Sequence, residues 1–169
     1  MELRTQRLLL RQFRAADIDA YAGMCADPEV TRFLRPNGEP LSREDAWRQM
    51  AMFCGHWQLR GYGMWAAEEL SSGRFVGRVG LHFPEGAPDR ELGWAMATRF
   101  WGKGLATEAA RAAADYAFRA LGWDHLVSFI FPGNVRSTRL AERLGARLVG
   151  NVALRGHEHL VYRLDRGAG

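Results

Sequence analysis

Apolar positions along this chain repeat with two periods, and the places where the period changes divide it into elements. Arg7-Leu8-Leu9-Leu10-Arg11-Gln12 is a short apolar run between polar ends and predicts a first strand. Asp17 then stands at the N-cap of a predicted helix carrying Ile18, Tyr21 and Met24. Pro36-Asn37-Gly38-Glu39-Pro40 predicts a turn. Ser42 opens a second helix with Glu44 and Asp45 in its first turn. On that helix Trp47, Met50, Phe53 and Trp57 recur at spacings of three and four, one apolar face directed at a core, and the pattern stops near Gly61.

The period then shortens to that of strands. Gly63 to Glu68, Phe75 to Phe83 and Arg90 to Met96 read as strands, the first two joined by a tight turn at Ser71-Ser72-Gly73. A long helix follows, from about Ala106 to Leu121. Its recurring Ala106, Ala109, Ala110, Ala113, Ala114 and Ala117 let it lie close to a sheet. His125 to Phe131 reads as a strand, Val135 to Leu144 as a helix, and Arg147 to Val152 and His159 to Leu164 as closing strands. This order predicts an α/β protein of the α+β type. Its central sheet, about six to seven strands, is mixed and mostly antiparallel, flanked by helices, with one parallel crossover. No repeat or linker interrupts the 169 residues, so residues 1–169 are expected to form one domain. The Gly167-Ala168-Gly169 tail is expected to be disordered.

Composition narrows the class. With 47% hydrophobic and 25% charged residues, the chain is an ordinary globular protein. No apolar run approaches the ~18 residues that cross a bilayer, and no signal peptide opens the chain, so a cytoplasmic protein with no membrane partner is expected. The net charge of +4 comes almost wholly from arginine, since Lys103 is the only lysine. Arginines suit planar recognition of phosphates and carboxylates. They are not gathered into a basic arm, and no nucleic-acid partner is expected. Cys25 and Cys54 stand far apart, which predicts buried, reduced thiols rather than a disulfide or a metal pair. His157 and His159 face one side of a strand with no carboxylate or cysteine beside them. A solvated strand is expected there, and no metal site.

The segment with the most chemistry follows the strand that ends at Met96. In Arg99-Phe100-Trp101-Gly102-Lys103-Gly104-Leu105-Ala106-Thr107-Glu108-Ala109, two glycines stand two apart, immediately before a helix. Glycine lets backbone N–H groups turn toward one point with no Cβ in the way. The helix N-terminus behind them offers unpaired donors and a partial positive charge. Such a cradle suits a pyrophosphate, although glycines at this spacing also occur in plain connections.

Arg99-x-x-Gly102-x-Gly104 resembles the pyrophosphate loop of the GCN5-related N-acetyltransferases (GNAT). The string from Phe100 to Ala109 is similar to the branch of that family containing the RimJ/RimL ribosomal-protein acetyltransferases. Arg4-Thr5-Gln6-Arg7-Leu8-Leu9-Leu10-Arg11 resembles the branch's opening strand. Asn134-Val135-Arg136-Ser137-Thr138-Arg139-Leu140-Ala141-Glu142-Arg143-Leu144-Gly145-Ala146 resembles its late helix. The resemblance covers nearly the whole chain and implies a GNAT fold whose splayed parallel strand pair holds acetyl-CoA.

By position, it implies that backbone groups of Trp94, Ala95 and Met96 line the pantetheine arm like an added strand. The loop Arg99, Phe100, Trp101, Gly102, Lys103, Gly104, Leu105, Ala106 and Thr107 would hold the pyrophosphate. Asn134 would bind the arm from the opposite wall; by its place before Val135 it also fits a plain N-cap. Glu91 matches the family's catalytic glutamate, a base that takes the proton of the acceptor amine; the alternative is a surface glutamate paired with Arg90 or another arginine. Ser137 matches the position that hydrogen-bonds the leaving thiolate; the alternative is a first-turn helix serine without a role. A backbone N–H between Trp94 and Met96 would polarise the thioester oxygen. Trp47, Phe53, Trp57 and Trp65 read as core, part of which could wall an acceptor pocket together with Phe33 and Tyr62.

The expected activity is acetyl transfer from acetyl-CoA to a primary amine, on a protein N-terminus or a small molecule, by direct attack in a ternary complex. The runner-up is a non-catalytic coenzyme A-binding or sensing protein, against which the joint presence of Glu91 and Ser137 speaks. A monomer or a homodimer is expected.

Overall fold

The computed structural model describes residues 1–35 and 37–167. Its strands are β1 (Leu3–Arg4), β2 (Leu8–Arg11), β3 (Met64–Glu69), β4 (Phe75–His82), β5 (Glu91–Met96), β6 (His125–Ile130), β7 (Arg147–Leu154) and β8 (His157–Asp165). The helices are α1 (Ile18–Cys25), α2 (Pro28–Thr31), α3 (Arg43–Arg60), α4 (Leu105–Arg119) and α5 (Val135–Arg143). The strands make one sheet in the order β1-β2-β3-β4-β5-β6-β8-β7. Every neighbouring pair is antiparallel except β5–β6. The eighth strand, beyond the six or seven expected, is the two-residue β1, too short to leave a periodic signal.

Local chemistry explains the helix ends. Ser42 Oγ accepts the N–H of Asp45 and starts α3. Gly61, at φ 73°, ends it with its N–H on the Trp57 carbonyl. Asp17 does not cap α1. Its carboxylate receives both Nη atoms of Arg11, at 2.8 and 2.7 Å, and the N–H of Arg14. Burial pushes the Asp17 carboxyl up, but Arg11 and Arg14 outweigh it and hold it below its ordinary range. The four-residue α2 is not among the predicted helices; Asp27 caps it by accepting the N–H of Glu29, with Pro28 in its first turn.

The sheet is covered by α1 and α3 on one face and by α4 on the other. On β4, Arg78 and His82 lie under Phe53 of α3. Trp65, in register with Val79, packs on Tyr116 of α4. Ala109, Ala110, Ala113, Ala114 and Ala117 of α4 are all buried, as their spacing predicts, and bring the helix close to β4 and β5.

Several expectations are corrected. Met50, Phe53 and Trp57 are in the core, but Trp47, in the first turns of α3, is 56% exposed and lines a shallow surface pocket with Ile18, Arg43 and Glu44. Cys25 is buried and Cys54 is exposed. His159 is buried beside Phe131, with ring centroids 4.1 Å apart, while His157 is exposed. In the predicted turn before α3, the N–H of Gly38 bonds the Arg35 carbonyl; Pro36 lies outside the described residues, as do Ala168 and Gly169 of the predicted disordered tail. No described helix is long and apolar enough to cross a membrane.

Candidate active site

β5 has one paired edge and one open edge. The N–H of Ala97 bonds Val76, so by the alternation of an antiparallel ladder the odd-numbered residues of β5 bond β4. The even-numbered residues turn their peptide groups the other way, toward β6. There the Arg90 carbonyl accepts the N–H of Val127, and Glu91↔Val127 is the single register pair of β5 and β6 among the described residues. Past it the two strands part. The Leu92 carbonyl takes the hydroxyl of Ser128 at 2.7 Å, and the Met96 carbonyl takes the indole N–H of Trp101 at 2.7 Å. This leaves the peptide groups of Trp94 and the N–H of Met96 facing the gap. Ala95, in register with Arg78, turns its own peptide groups to β4 and meets the gap through its methyl group alone.

The gap opens into a cavity of about 1080 Å³. Trp94, Ala95 and Met96 line it from β5; Phe100, Trp101 and Gly102 come from the loop, and Gly104, Leu105, Ala106 and Thr107 from the start of α4. Gly102 and Gly104 stand at φ 75° and 76°, a backbone that L side chains rarely adopt. A Cβ on Gly102 would meet nothing within 4 Å, so the space above this turn is open. No side chain caps α4 at Gly104, and its first-turn N–H groups remain available. A cradle of positive-φ glycines in front of an uncapped helix fits a pyrophosphate. Arg99 and Lys103 do not line the cavity. Arg99 turns back to the Phe75 carbonyl at 3.4 Å, and the Arg99 and Lys103 cations lie over Phe100 at 5.0 and 5.4 Å.

Residues far away in sequence hold this loop. Arg7 donates from Nη1 to the Lys103 carbonyl at 2.9 Å and from Nε to Glu108 at 2.7 Å. Glu108 also accepts the Thr5 hydroxyl at 2.6 Å and the Arg7 N–H at 2.8 Å. Partial burial pushes the Glu108 carboxyl up, but these bonds from Thr5 and Arg7 outweigh it and hold it below its ordinary range. The Thr98 hydroxyl donates to Asp27 at 2.9 Å and ties the loop to the start of α2. Thr5, Arg7 and Glu108 all fall within the strings quoted above. What the sequence could not display is that they meet.

The opposite wall is α5. Asn134 lines the cavity and caps this helix, its Oδ1 accepting the N–H of Ser137 at 3.2 Å. Ser137 also lines the cavity. Its Oγ accepts the indole N–H of Trp94 at 3.3 Å, a bond that bridges the gap between α5 and β5. Because an indole only donates, the Ser137 hydroxyl proton stays free for an acceptor in the cavity.

Glu91 stands at the far end of β5, five residues and roughly 17 Å from Met96 at the rise of an extended strand. It is not paired with Arg90, which turns to Asp124 at 3.3 Å and lies over Trp123. Its neighbour is His82, the residue in register across β4, with Nδ1 3.5 Å from the carboxylate. Nε2 of His82 is buried without a hydrogen-bond partner among the described residues. The His56 ring lies 5.5 Å from that of His82. His56 accepts the Phe83 N–H at Nε2 and donates from Nδ1 to the Tyr62 carbonyl, an arrangement that needs the neutral ring. Burial, the largest cause, holds its pKa below the ordinary value. Phe33 lines the cavity; Tyr62 does not, and packs on Trp123 instead. Among the described residues no group of His, Cys, Asp and Glu is placed to hold a metal ion.

Comparison with known proteins agrees with this architecture. The family model described as an acetyltransferase (GNAT) domain matches residues 7–147. The chain belongs to the GNAT family, N-acetyltransferases that use acetyl-CoA. Among curated relatives, the uncharacterized N-acetyltransferase YoaA of Bacillus subtilis is 29% identical over 88% of this chain and 84% of its own. The uncharacterized protein YkkB of the same organism is 40% identical, but over 51% of this chain, which spans about half of YkkB (52%). An acetyltransferase from Agrobacterium tumefaciens superposes with a TM-score of 0.87 at 33% identity, over 98% of this chain and 95% of that one. RimL, a ribosomal L7/L12 alpha-N-protein acetyltransferase solved with coenzyme A, superposes over all of both chains with a TM-score of 0.82 at 18% identity, a likeness of fold. The resemblance to the RimJ/RimL branch is thus borne out in family and fold.

Proposed function

We propose that this protein transfers the acetyl group of acetyl-CoA to a primary amine by direct attack in a ternary complex. The observation that carries the reading is the open edge of β5, which runs from the glycine cradle toward Glu91 and faces the free hydroxyl of Ser137. Acetyl-CoA supplies an acyl thioester. Gly102, Gly104 and the first turn of α4 would hold its pyrophosphate, and the peptide groups of Trp94 and the N–H of Met96 would pair with its arm as a strand pairs with an edge. Oδ1 of Asn134 caps α5, while Nδ2, without a hydrogen bond among the described residues, would donate to the arm.

Glu91 takes the proton of the acceptor amine, directly or through a water, since a protonated amine has no lone pair. The new C–N bond forms as the C–S bond breaks. A backbone N–H of the Trp94–Met96 edge meets the thioester oxygen as charge gathers there, and the Ser137 hydroxyl meets the departing thiolate. The acceptor is a protein N-terminus, the substrate type in the printed name of RimL, or a small-molecule amine. Incubation with acetyl-CoA and an amine library, followed by free thiol and by mass spectrometry, tests this. The expected result is thiol release that depends on the amine and matches acetylated product. Tight coenzyme A binding with no transfer to any amine would favour a sensing protein.

A further inference from the structure

One wall of the cavity carries more positive charge than a pyrophosphate needs. Arg32, Arg111, Arg136, Arg139 and Arg143 line it, against Glu29 and Glu108, and Glu108 is already saturated by Thr5 and Arg7. The pyrophosphate cradle is built of backbone N–H groups, so it does not use these arginines.

Three of them stand on one stripe of α5, at spacings of three and four, where like charges on neighbouring turns oppose each other and weaken a helix. Of the exposed arginines elsewhere, Arg48 takes Glu44 and Asp45, Arg43 takes Asp19 and Arg147 takes Asp165, whereas Arg4, Arg74, Arg119 and Arg155 stand singly and in no ion pair among the described residues. None on this wall is in an ion pair among the described residues. Arg136 lies over the Trp101 ring at 4.1 Å, and Arg111 of α4 donates to the Arg143 carbonyl at 3.1 Å, which ties the two helices at this point. The Arg139 and Arg143 guanidinium groups make no hydrogen bond among the described residues. Arg111 lies seven residues beyond Gly104, about 10 Å along the helix from the cradle.

We propose that Arg139 and Arg143, backed by Arg111, hold the 3′-phosphate on the ribose of coenzyme A, so that the protein selects acetyl-CoA over its dephospho form. The proposal rests on the acetyl-CoA reading above. The 3′-phosphate is a monoester with a charge of about −1.5 to −2 at neutral pH, against one negative charge on each unit of the diester pyrophosphate. It is the group of this ligand most in need of paired cations, and guanidinium groups bind such oxygens bidentately.

The test is calorimetric titration of coenzyme A and of 3′-dephospho-coenzyme A into three folded proteins: wild type, the double variant Arg139→Gln/Arg143→Gln, and Arg119→Gln, a charge control on the exposed side of α4. Wild type should bind coenzyme A about tenfold or more tightly over the dephospho form, the scale of a charge-assisted pair. The double variant should lose most of that preference while its affinity for the dephospho form stays within about twofold of wild type, and Arg119→Gln should keep the preference. Equal affinity of wild type for both ligands overturns the proposal and leaves the acetyl-CoA reading standing. So does an equal loss for both ligands in the double variant, which would make the wall a general attraction. Failure of wild type to bind either ligand overturns the acetyl-CoA reading and this proposal with it.

Discussion

The two ends of β5 are built from different materials. At the C-terminal end, backbone makes the site: Gly102, Gly104, the uncapped turn of α4 and the Trp94–Met96 edge. Side chains there act mostly from behind. Arg7 fixes the Lys103 carbonyl, Glu108 fixes Arg7, and Asp27 fixes Thr98. At the N-terminal end, outside the lining of the cavity, the proposed catalytic group stands among side chains: Glu91 faces His82, and His82 faces His56 and Phe53. The difference teaches how such a fold can keep one ligand while changing another. A backbone cradle survives most substitutions around it, whereas a pocket of side chains is altered by each one.

If the two ends are separate, substitutions should sort into binding and turnover. The largest effect is expected at Glu91. Glu91→Gln should lower turnover ~10²-fold near neutral pH with acetyl-CoA affinity unchanged, the usual worth of a positioned base. The loss should shrink at high pH, where the amine arrives deprotonated. A lower melting temperature with near-normal turnover would instead make Glu91 a structural partner of His82.

Next is Gly104→Val, which strains a residue at φ 76° at the head of α4 and sets a branched side chain against Arg7, whose Nη2 lies 3.6 Å from the Cβ position. Acetyl-CoA affinity should fall at least ~10-fold, with the circular dichroism spectrum preserved. Unchanged affinity would remove the loop from the site. Ser137→Ala should lower turnover about fivefold with little change in affinity, because the hydroxyl is needed as charge builds on sulfur. A purely higher KM for acetyl-CoA would move Ser137 to the binding end.

A smaller effect is expected from behind the cradle. Arg7→Ala should raise the acetyl-CoA Kd about threefold while kcat holds, since it frees the loop carbonyl without touching the thioester. A fall in kcat alone would break the division between the two ends.

The smallest effect is a pH dependence of stability. The folded-state pKa of His56 lies below its ordinary 6.5, so the unfolded chain binds more protons between these values. The stability it contributes is present above 6.5 and is lost as pH falls through the lower folded value. The Glu108 carboxyl is also lowered, but from 4.5, so its contribution persists to more acid pH. Melting temperature should therefore begin to fall below about pH 6.5 in wild type and follow a flatter course in His56→Gln. Identical profiles would remove His56 as the cause.

The same contrast decides what could be read from the sequence. The glycine loop, the alanine face of α4 and the Asn134 cap are local, each a matter of residues within a few turns of one another, and they stand where the pattern predicts. Arg7 and Glu108 meet across 101 residues, so their bond is invisible to any local pattern. Glu91 and His82 are nine residues apart, yet only the register of β4 with β5 makes them neighbours. Trp47 obeys the helical period of Met50, Phe53 and Trp57 and is still exposed, because period assigns a face and cannot say where the covering layer ends. Asp17 has the residue type of a cap, but a buried guanidinium three strand residues after Leu8 claims it first.

The central claim, that coenzyme A is held by the open edge of β5 and the glycine loop, can be tested without knowing the acceptor. The measurement is amide hydrogen exchange of wild type with and without acetyl-CoA, resolved to short peptides. Slower exchange is predicted at Trp94 and Met96 and across the segment from Arg99 to Ala106, with little change from Gln49 to Arg60, which carries His56. Protection confined to the second region, or absent from β5 and the loop while acetyl-CoA is bound, would contradict the account.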